Sequence, residues 1–294
     1  MPRRFVTLDV FTTRALAGNP LAVVLDCDGL DAAAMQAVAR EFNLSETVFV
    51  MPPDDPRHRA RLRIFTPARE LPFAGHPTIG TAVLLGLRTE NAKAADAVAF
   101  GLEEAIGTIA CIVEAGDGMG RARFKLPTLP AFLGDAATTS ELAAAFGLAP
   151  EQIGFGRHRP SRHGVGPSFT FVPVATRAHL DAARPGTLAG SPDGFLLYAP
   201  DAAGDGRAFQ ARMFAPVLGV TEDPATGSAA TAFAGVLMQF ETLADGTHDV
   251  AITQGVAMGR PSDIALQVTV AAGALQAVEI GGAALIVSEG VLHV

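Results

Sequence analysis

A histidine and an aspartate occupy matched places in two similar stretches of this chain. "LPFAGHPTIGTAVLLGL" (71–87) and "VTEDPATGSAATAFAGVL" (220–237) align without gaps, His76-Pro77-Thr78-Ile79-Gly80 falling on Asp223-Pro224-Ala225-Thr226-Gly227. In each, a titratable group and a proline precede an apolar run that reads as a helix. Proline costs nothing at a first helical position, because its N–H would be unpaired anyway. Asp223 before Pro224 also reads as an ordinary N-cap. Histidine is not a favoured cap, so His76 asks for another reason. Gly75, Gly80 and Gly227 keep bulk away from the helix entrances and let a ligand approach. Each entrance offers unpaired N–H groups and a positive dipole end, which suit a carboxylate or enolate oxygen.

The best acid upstream is Glu46 in "NLSETVFV", between a helical pattern and an apolar strand. Burial there raises a carboxyl's pKa toward the range useful for general acid/base work. Spacing alone leaves a second reading open, an exposed loop glutamate. Asp193 takes the corresponding place in the second half, but "SPDGF" reads as a Pro-Asp-Gly turn, so the expected site is asymmetric with one principal base. If a pseudo-twofold axis relates the halves, the two helix entrances face each other across an interdomain cleft, where small-molecule sites usually fall. Opposed anion-stabilising ends beside an acid suit chemistry that makes and reprotonates a carbanion.

The elements that carry these groups recur in order. Strands "RFVTLDVF" and "PLAVVLD" lead to the amphipathic helix "DAAAMQAVAREF", with Asp31 as its cap and Met35, Val38, Ala39 and Phe42 on one face. Strands "ETVFVMP" and "ARLRIFTP" precede the first motif; "AVAFGL", "GTIACIVEA" and "ARFKLP" follow it, with "GDGMG" a hairpin turn. The second half runs "SFTFVPV", helix "ATRAHLDAARP", "GFLLYAP" and "FQARMFAP", then the second motif and four more strands, "VAITQGVAM", "DIALQVTV", "LQAVEI" and "ALIVSE". "RIFTP" (63–67) answers "RMFAP" (212–216). Five matching elements in one order predict a duplicated α+β unit. Residues 126–150, rich in Pro and small residues, read as the crossover between the copies.

Composition bounds the function. At 294 residues the chain suits two domains, and 49% hydrophobic against 18% charged residues allows a large core. No apolar run is long enough to span a membrane and the N-terminus has no signal-peptide pattern, so the cytoplasm is the expected address. A net charge of −8 argues against nucleic acid as ligand. Cys27 and Cys111, in unrelated contexts, read as reduced structural thiols. No GxSxG, Walker A or strand-linked GxGxxG appears.

"GNPLAVV" (18–24), "MQAVAREFNLSETVFV" (35–50), "RIFTPARELPFAGHPTIGTA" (63–82), "TEDPATGSAA" (221–230) and "QGVAMGRPS" (254–262) together resemble the PhzF family, the phenazine-biosynthesis isomerase-like proteins of diaminopimelate epimerase fold. The resemblance implies two pseudo-symmetric α+β domains, each a mostly antiparallel β-sheet rolled around a central apolar helix. The first would cover 1–126, completed by about 283–294, and the second 127–282. It implies a site without a cofactor or metal that isomerises a small carboxylic acid. Glu46 matches the family's catalytic acid/base; His76 and Asp223 match groups that position substrate and assist proton movement. Ser228, Gly75 and Gly227 match substrate contacts, and Ser45 and Pro77 beside them are further candidates. Related epimerases and proline racemases use one cysteine from each domain, and neither helix entrance here carries one. A homodimer is compatible with the resemblance but not demanded by it. Two other readings stay open: a non-catalytic metabolite-binding protein, and a lyase or dehydratase.

The segment "HRPSRH", with His158 and His163 crowded by Arg157, Arg159 and Arg162, reads as a solvated loop rather than a metal site, or as an attractor of an acidic substrate. Arg63 and Arg212 read as outer-face strand residues.

Overall fold

The computed structural model describes residues 2–89, 97–188, 191, 194–201, 207–216 and 220–294. They fall into two compact units, one formed by Met1–Pro127 with Gly281–Val294, the other by Thr128–Ile280.

In the first unit, strands β1 (Pro2–Val10) and β2 (Asn19–Val24) form an antiparallel pair, and β2 runs parallel to β3 (Glu46–Met51) across the helix α1 (Ala32–Phe42). Asp31 caps α1 through Ala34 N, and the helix buries Met35, Val38 and Ala39 against Val24, Phe49 and Phe65. Strand β4 (Ala60–Phe65) turns back along β3, pairs with the short β5 (Glu70–Leu71), and precedes helix α2 (Gly75–Leu87). Beyond α2, β6 (Val98–Glu104) joins β4 in parallel, and β7 (Gly107–Gly116) and β8 (Met119–Lys125) follow as antiparallel neighbours. Asp117 and Gly118 both have positive φ, the requirement of the tight hairpin turn expected at "GDGMG".

The long final strand β17 (Ala274–His293) pairs with both β8 and β1. The eight strands β1, β2, β3, β4, β6, β7, β8 and β17 therefore close into a barrel. Helix α2 fills it, with every residue from Gly75 to Gly86 buried, as befits a helix apolar all round. "LQAVEI" and "ALIVSE" are one continuous strand, the Gly281-Gly282 pair between them being extended within β17 rather than forming a turn.

The second unit repeats the plan. Strands β9 (Ala131–Asp135), β10 (Ser161–Gly164) and β11 (Ser168–Pro173) are antiparallel neighbours, and β11 runs parallel to β12 (Gly194–Pro200) across helix α4 (Arg177–Ala182). Strand β13 (Ala208–Ala215) turns back along β12 and pairs with the short β14 (Val220–Asp223). Helix α5 (Gly227–Phe240) then leads to β15 (Gly246–Gln254), parallel to β13, and β16 (Ser262–Ala271). The alternation of parallel and antiparallel pairs from β2 to β6 recurs from β11 to β15.

The stretch expected as a bare crossover holds β9 and an eight-residue helix, α3 (Thr139–Phe146). Thr138 and Glu141 form a reciprocal capping box, and Gly147 ends the helix in the left-handed conformation. Leu142 and Phe146 pack on Phe195 and Phe214.

Candidate active site

Glu46 is the first residue of β3, held beside Leu21 of β2 by the parallel ladder. His76 is the second residue of α2, whose cap is Ala74 with no side-chain bond. His76 Nδ1 lies 3.3 Å from Glu46 Oε2, with the two side chains 5% and 17% exposed. Asn19, fully buried at the start of β2, places its Nδ2 3.5 Å from the same Nδ1. The barrel thus brings the acid and the histidine together, and the exposed-loop reading of Glu46 falls away.

Burial pushes the His76 imidazole down to about 3, while the Glu46 carboxylate pulls the other way. Burial dominates at a ring with 4% exposure, so His76 is neutral near pH 7. A neutral ring donates from one nitrogen and accepts at the other. With Nδ1–H directed to Glu46, Nδ1 cannot also accept from the more distant Asn19 Nδ2, and the buried Nε2 is an acceptor without a hydrogen-bond partner among the described residues. Gly75 and His76 also carry N–H groups at the positive end of α2, and Pro77 in the third position has none to offer. Pro77 is therefore inside the first turn rather than at its start. Ser45, immediately before Glu46, is partly buried.

Asp223 does not mirror His76. It ends β14, and α5 starts at Gly227 with Thr226 as its cap, so the N-cap reading of Asp223 fails. The gapless sequence match hides this offset, since α2 absorbs its Gly-His-Pro into the helix and α5 leaves its Asp-Pro-Ala outside. Thr226 Oγ1 donates to Asp223 Oδ2 at 2.6 Å, and Gln254 Nε2 donates to the Asp223 carbonyl at 2.7 Å. Gln254 Oε1 also accepts from Thr226 N at 3.3 Å, so one buried amide fixes the turn from both ends. Gly227 is buried and Ser228 partly buried in the first turn of α5. Glu46, His76, Ser45, Gly75 and Pro77 belong to the first unit; Asp223, Gly227 and Ser228 belong to the second.

No carboxylate copies Glu46 among the described residues of the second unit. The parallel pairing that starts at Glu46 in β3 starts at Gly194 in β12, and Asp193 lies outside the described residues. Gly80 has a packing role rather than a ligand-access role. A Cβ there would stand 2.6 Å from Leu21 Cδ2 and 2.7 Å from Val10 Cγ2, so its absence lets α2 sit against the barrel wall.

The "HRPSRH" histidines are core residues, contrary to the solvated-loop expectation. His158, 2% exposed, hydrogen-bonds Tyr198 Oη at 2.8 Å and Glu241 Oε1 at 2.6 Å. His163 lies over Gly235 of α5, where a Cβ would meet its Nδ1 at 2.6 Å, and its Nε2 bonds Ser161 and Gln239. Burial pushes the His163 ring down to about 4. Only Ser161–Gly164 of the segment forms strand β10, where Ser161 and His163 point inward two residues apart, while His158 lies before the strand in an isolated bridge with Phe155. Arg212 is likewise buried, gripping Glu222 with Nε and Nη2 at 2.9 Å each, while Arg63 grips Glu70 at 2.7 Å in the first unit.

A family model described as phenazine biosynthesis-like protein matches residues 8–290. The chain belongs to this family. It is 39% identical over 292 residues to the trans-2,3-dihydro-3-hydroxyanthranilate isomerase of Pseudomonas aeruginosa, covering 98% of each chain. It is 47% identical over 302 residues, 99% of each chain, to an uncharacterized isomerase of Mesorhizobium japonicum. A solved structure of a predicted epimerase from Pseudomonas aeruginosa superposes with a TM-score of 0.81 at 33% identity over 99% of both chains. A hydroxyproline epimerase of Agrobacterium vitis shares the fold alone, with a TM-score of 0.61 at 11% identity, 99% of this chain and 91% of that one. This PhzF-type chain is an isomerase, and its mixed α+β architecture is that of the epimerase fold. No helix among the described residues is long and apolar enough to cross a membrane.

Proposed function

We propose that this isomerase moves a proton between two carbons of a small carboxylic acid using only its own side chains. Glu46 as carboxylate takes the proton from one carbon; the pair of electrons left behind delocalises, and the Glu46 acid returns the proton to a second carbon. Atoms balance, and no redox partner enters the step. His76 steadies the Glu46 carboxyl through Nδ1 and offers Nε2 to a donor on the substrate. The Gly75 and His76 N–H groups are assigned to its carboxylate. The observation that carries this reading is the 3.3 Å approach of Glu46 to a buried histidine at a helix entrance. The relative named for trans-2,3-dihydro-3-hydroxyanthranilate makes that compound, a cyclic amino acid, the first substrate to try.

The test is turnover in deuterated water by wild type and Glu46→Gln. The glutamine is isosteric and cannot take a proton, so the expected loss is roughly 10²-fold or more, with label incorporated only by wild type. Equal rates in the two proteins, or equal label, overturn the assignment. A product lighter by one water points to a lyase instead.

A further inference from the structure

Behind His76 sits a second acid that the proposed proton transfer does not use. Glu104 ends β6 at 7% exposure, inside the barrel. Its Oε1 lies 2.6 Å from Thr78 Oγ1, and the same hydroxyl lies 2.8 Å from the carbonyl oxygen of Ala74. A hydroxyl has one proton and cannot donate to both. The carbonyl has no proton to contribute, so two good bonds require the carboxyl to bring its own. Glu104 Oε2 has no hydrogen-bond partner among the described residues, which an ionised carboxylate at that depth would tolerate poorly. The proton inventory therefore runs from the Glu104 acid to Thr78 Oγ1, and from Thr78 to Ala74. Ala74 is the cap of α2, the residue before Gly75-His76, and it has no side-chain cap bond of its own.

We propose that Glu104, as a neutral acid, is a positioning residue that fixes the α2 entrance, and with it His76, through Thr78 and Ala74. The inference rests on the reading of His76 as a substrate-positioning group. Burial pushes the Glu104 acid up to about 8, consistent with a protonated state at neutral pH. Losing that proton turns Thr78 toward Glu104 and leaves the Ala74 carbonyl with only the longer 3.3 Å bond from Thr78 N. The elements packed around it bring few other charges. Cys111 of β7 is a thiol that burial and Glu104 push up to about 12, and His76 of α2 is neutral. Arg61 and Arg63 of β4 pair with Asp54 and Glu70, and Glu103, next along β6, accepts from the Asp54 and Asp55 N–H groups.

The experiment follows the carboxyl carbon of Glu104 and the ring nitrogens of His76 by NMR from pH 6 to pH 10, on the full chain without ligand. The expected result is a Glu104 transition near 8 that the His76 signals follow with the same midpoint. Glu104→Gln keeps a donor to Thr78 but cannot ionise, so the His76 transition disappears while its pH 6 position is retained. Thr78→Val removes the link and also abolishes the coupled transition. A Glu104 midpoint in the ordinary carboxylate range, or a His76 transition that survives in Glu104→Gln, overturns the inference. The readout needs no turnover, so failure of the Glu46→Gln test leaves this result standing, and the converse holds too.

Discussion

Arg212 faces Glu222 through two parallel hydrogen bonds, and its remaining terminal nitrogen donates to the buried carbonyls of Leu180 and Ala183 at 3.1 and 2.6 Å and to the partly buried carbonyl of Asp181 at 3.3 Å. Its guanidinium also lies 4.9 Å from the Phe214 ring centre. Arg63 with Glu70 over Phe65 is the same device in the first unit, at 5.2 Å. The difference is burial. The Arg212 and Glu222 side chains are 9% and 12% exposed, against 27% and 42% for Arg63 and Glu70.

That contrast sets two energies. Arg212→Met strands a buried carboxylate and two buried carbonyls, and is expected to cost about 3–5 kcal/mol. Arg63→Met breaks a pair that water can replace, at about 1 kcal/mol or less. Urea unfolding of the two variants checks this, and equal losses contradict it.

His76 predicts a signed acid sensitivity. Its ring titrates near 6.5 when unfolded and is held down to about 3 when folded, so between those values the unfolded chain binds more protons. The stability this group contributes is complete above about pH 6.5 and is lost as the pH falls toward 3. The loss is on the order of a few kcal/mol. In His76→Gln the unfolding free energy measured from pH 7 down to pH 4 falls less steeply than in wild type. A parallel pair of curves shows that the ring is not held neutral.

Cys27 and Cys111 are free and buried, and burial pushes both thiols up to about 12. Neither is then a useful nucleophile at neutral pH. Iodoacetamide on the native protein is expected to add nothing and to leave turnover intact, whereas the denatured chain takes up two labels. Rapid loss of activity on alkylation favours a thiol mechanism over Glu46.

Local signals carried the sequence reading furthest where one element decides its own shape. Asp31 and the Met35-Val38-Ala39 face give α1 its observed place, and Asp117-Gly118 give the hairpin its turn. The Glu46–His76 approach was legible only as a pair of candidates, because the ladder that joins Leu21 to Glu46 is a tertiary fact. Asn19 stood inside a quoted motif and received no role, since nothing local says that an asparagine at a strand start reaches a helix 57 positions on. Helix α3 had its signal in plain view, Thr138 and Glu141 at capping-box spacing before an alanine-rich run closed by Gly147. The charge of the "HRPSRH" arginines masked the period-two burial of Ser161 and His163. Glu104 was invisible, because its partner Thr78 lies 26 positions away.

The single strand from Ala274 to His293 has a consequence for how the molecule is made. Its last ten residues zip onto Pro2–Val10, which leave the ribosome before the inserted unit does. The N-terminal barrel must wait, open along one seam, while the whole inserted unit is synthesised. Such a seam is a long-range closure that comes late and slowly. Until then β1 offers an unsatisfied edge, and the growing chain needs that edge kept from other partners.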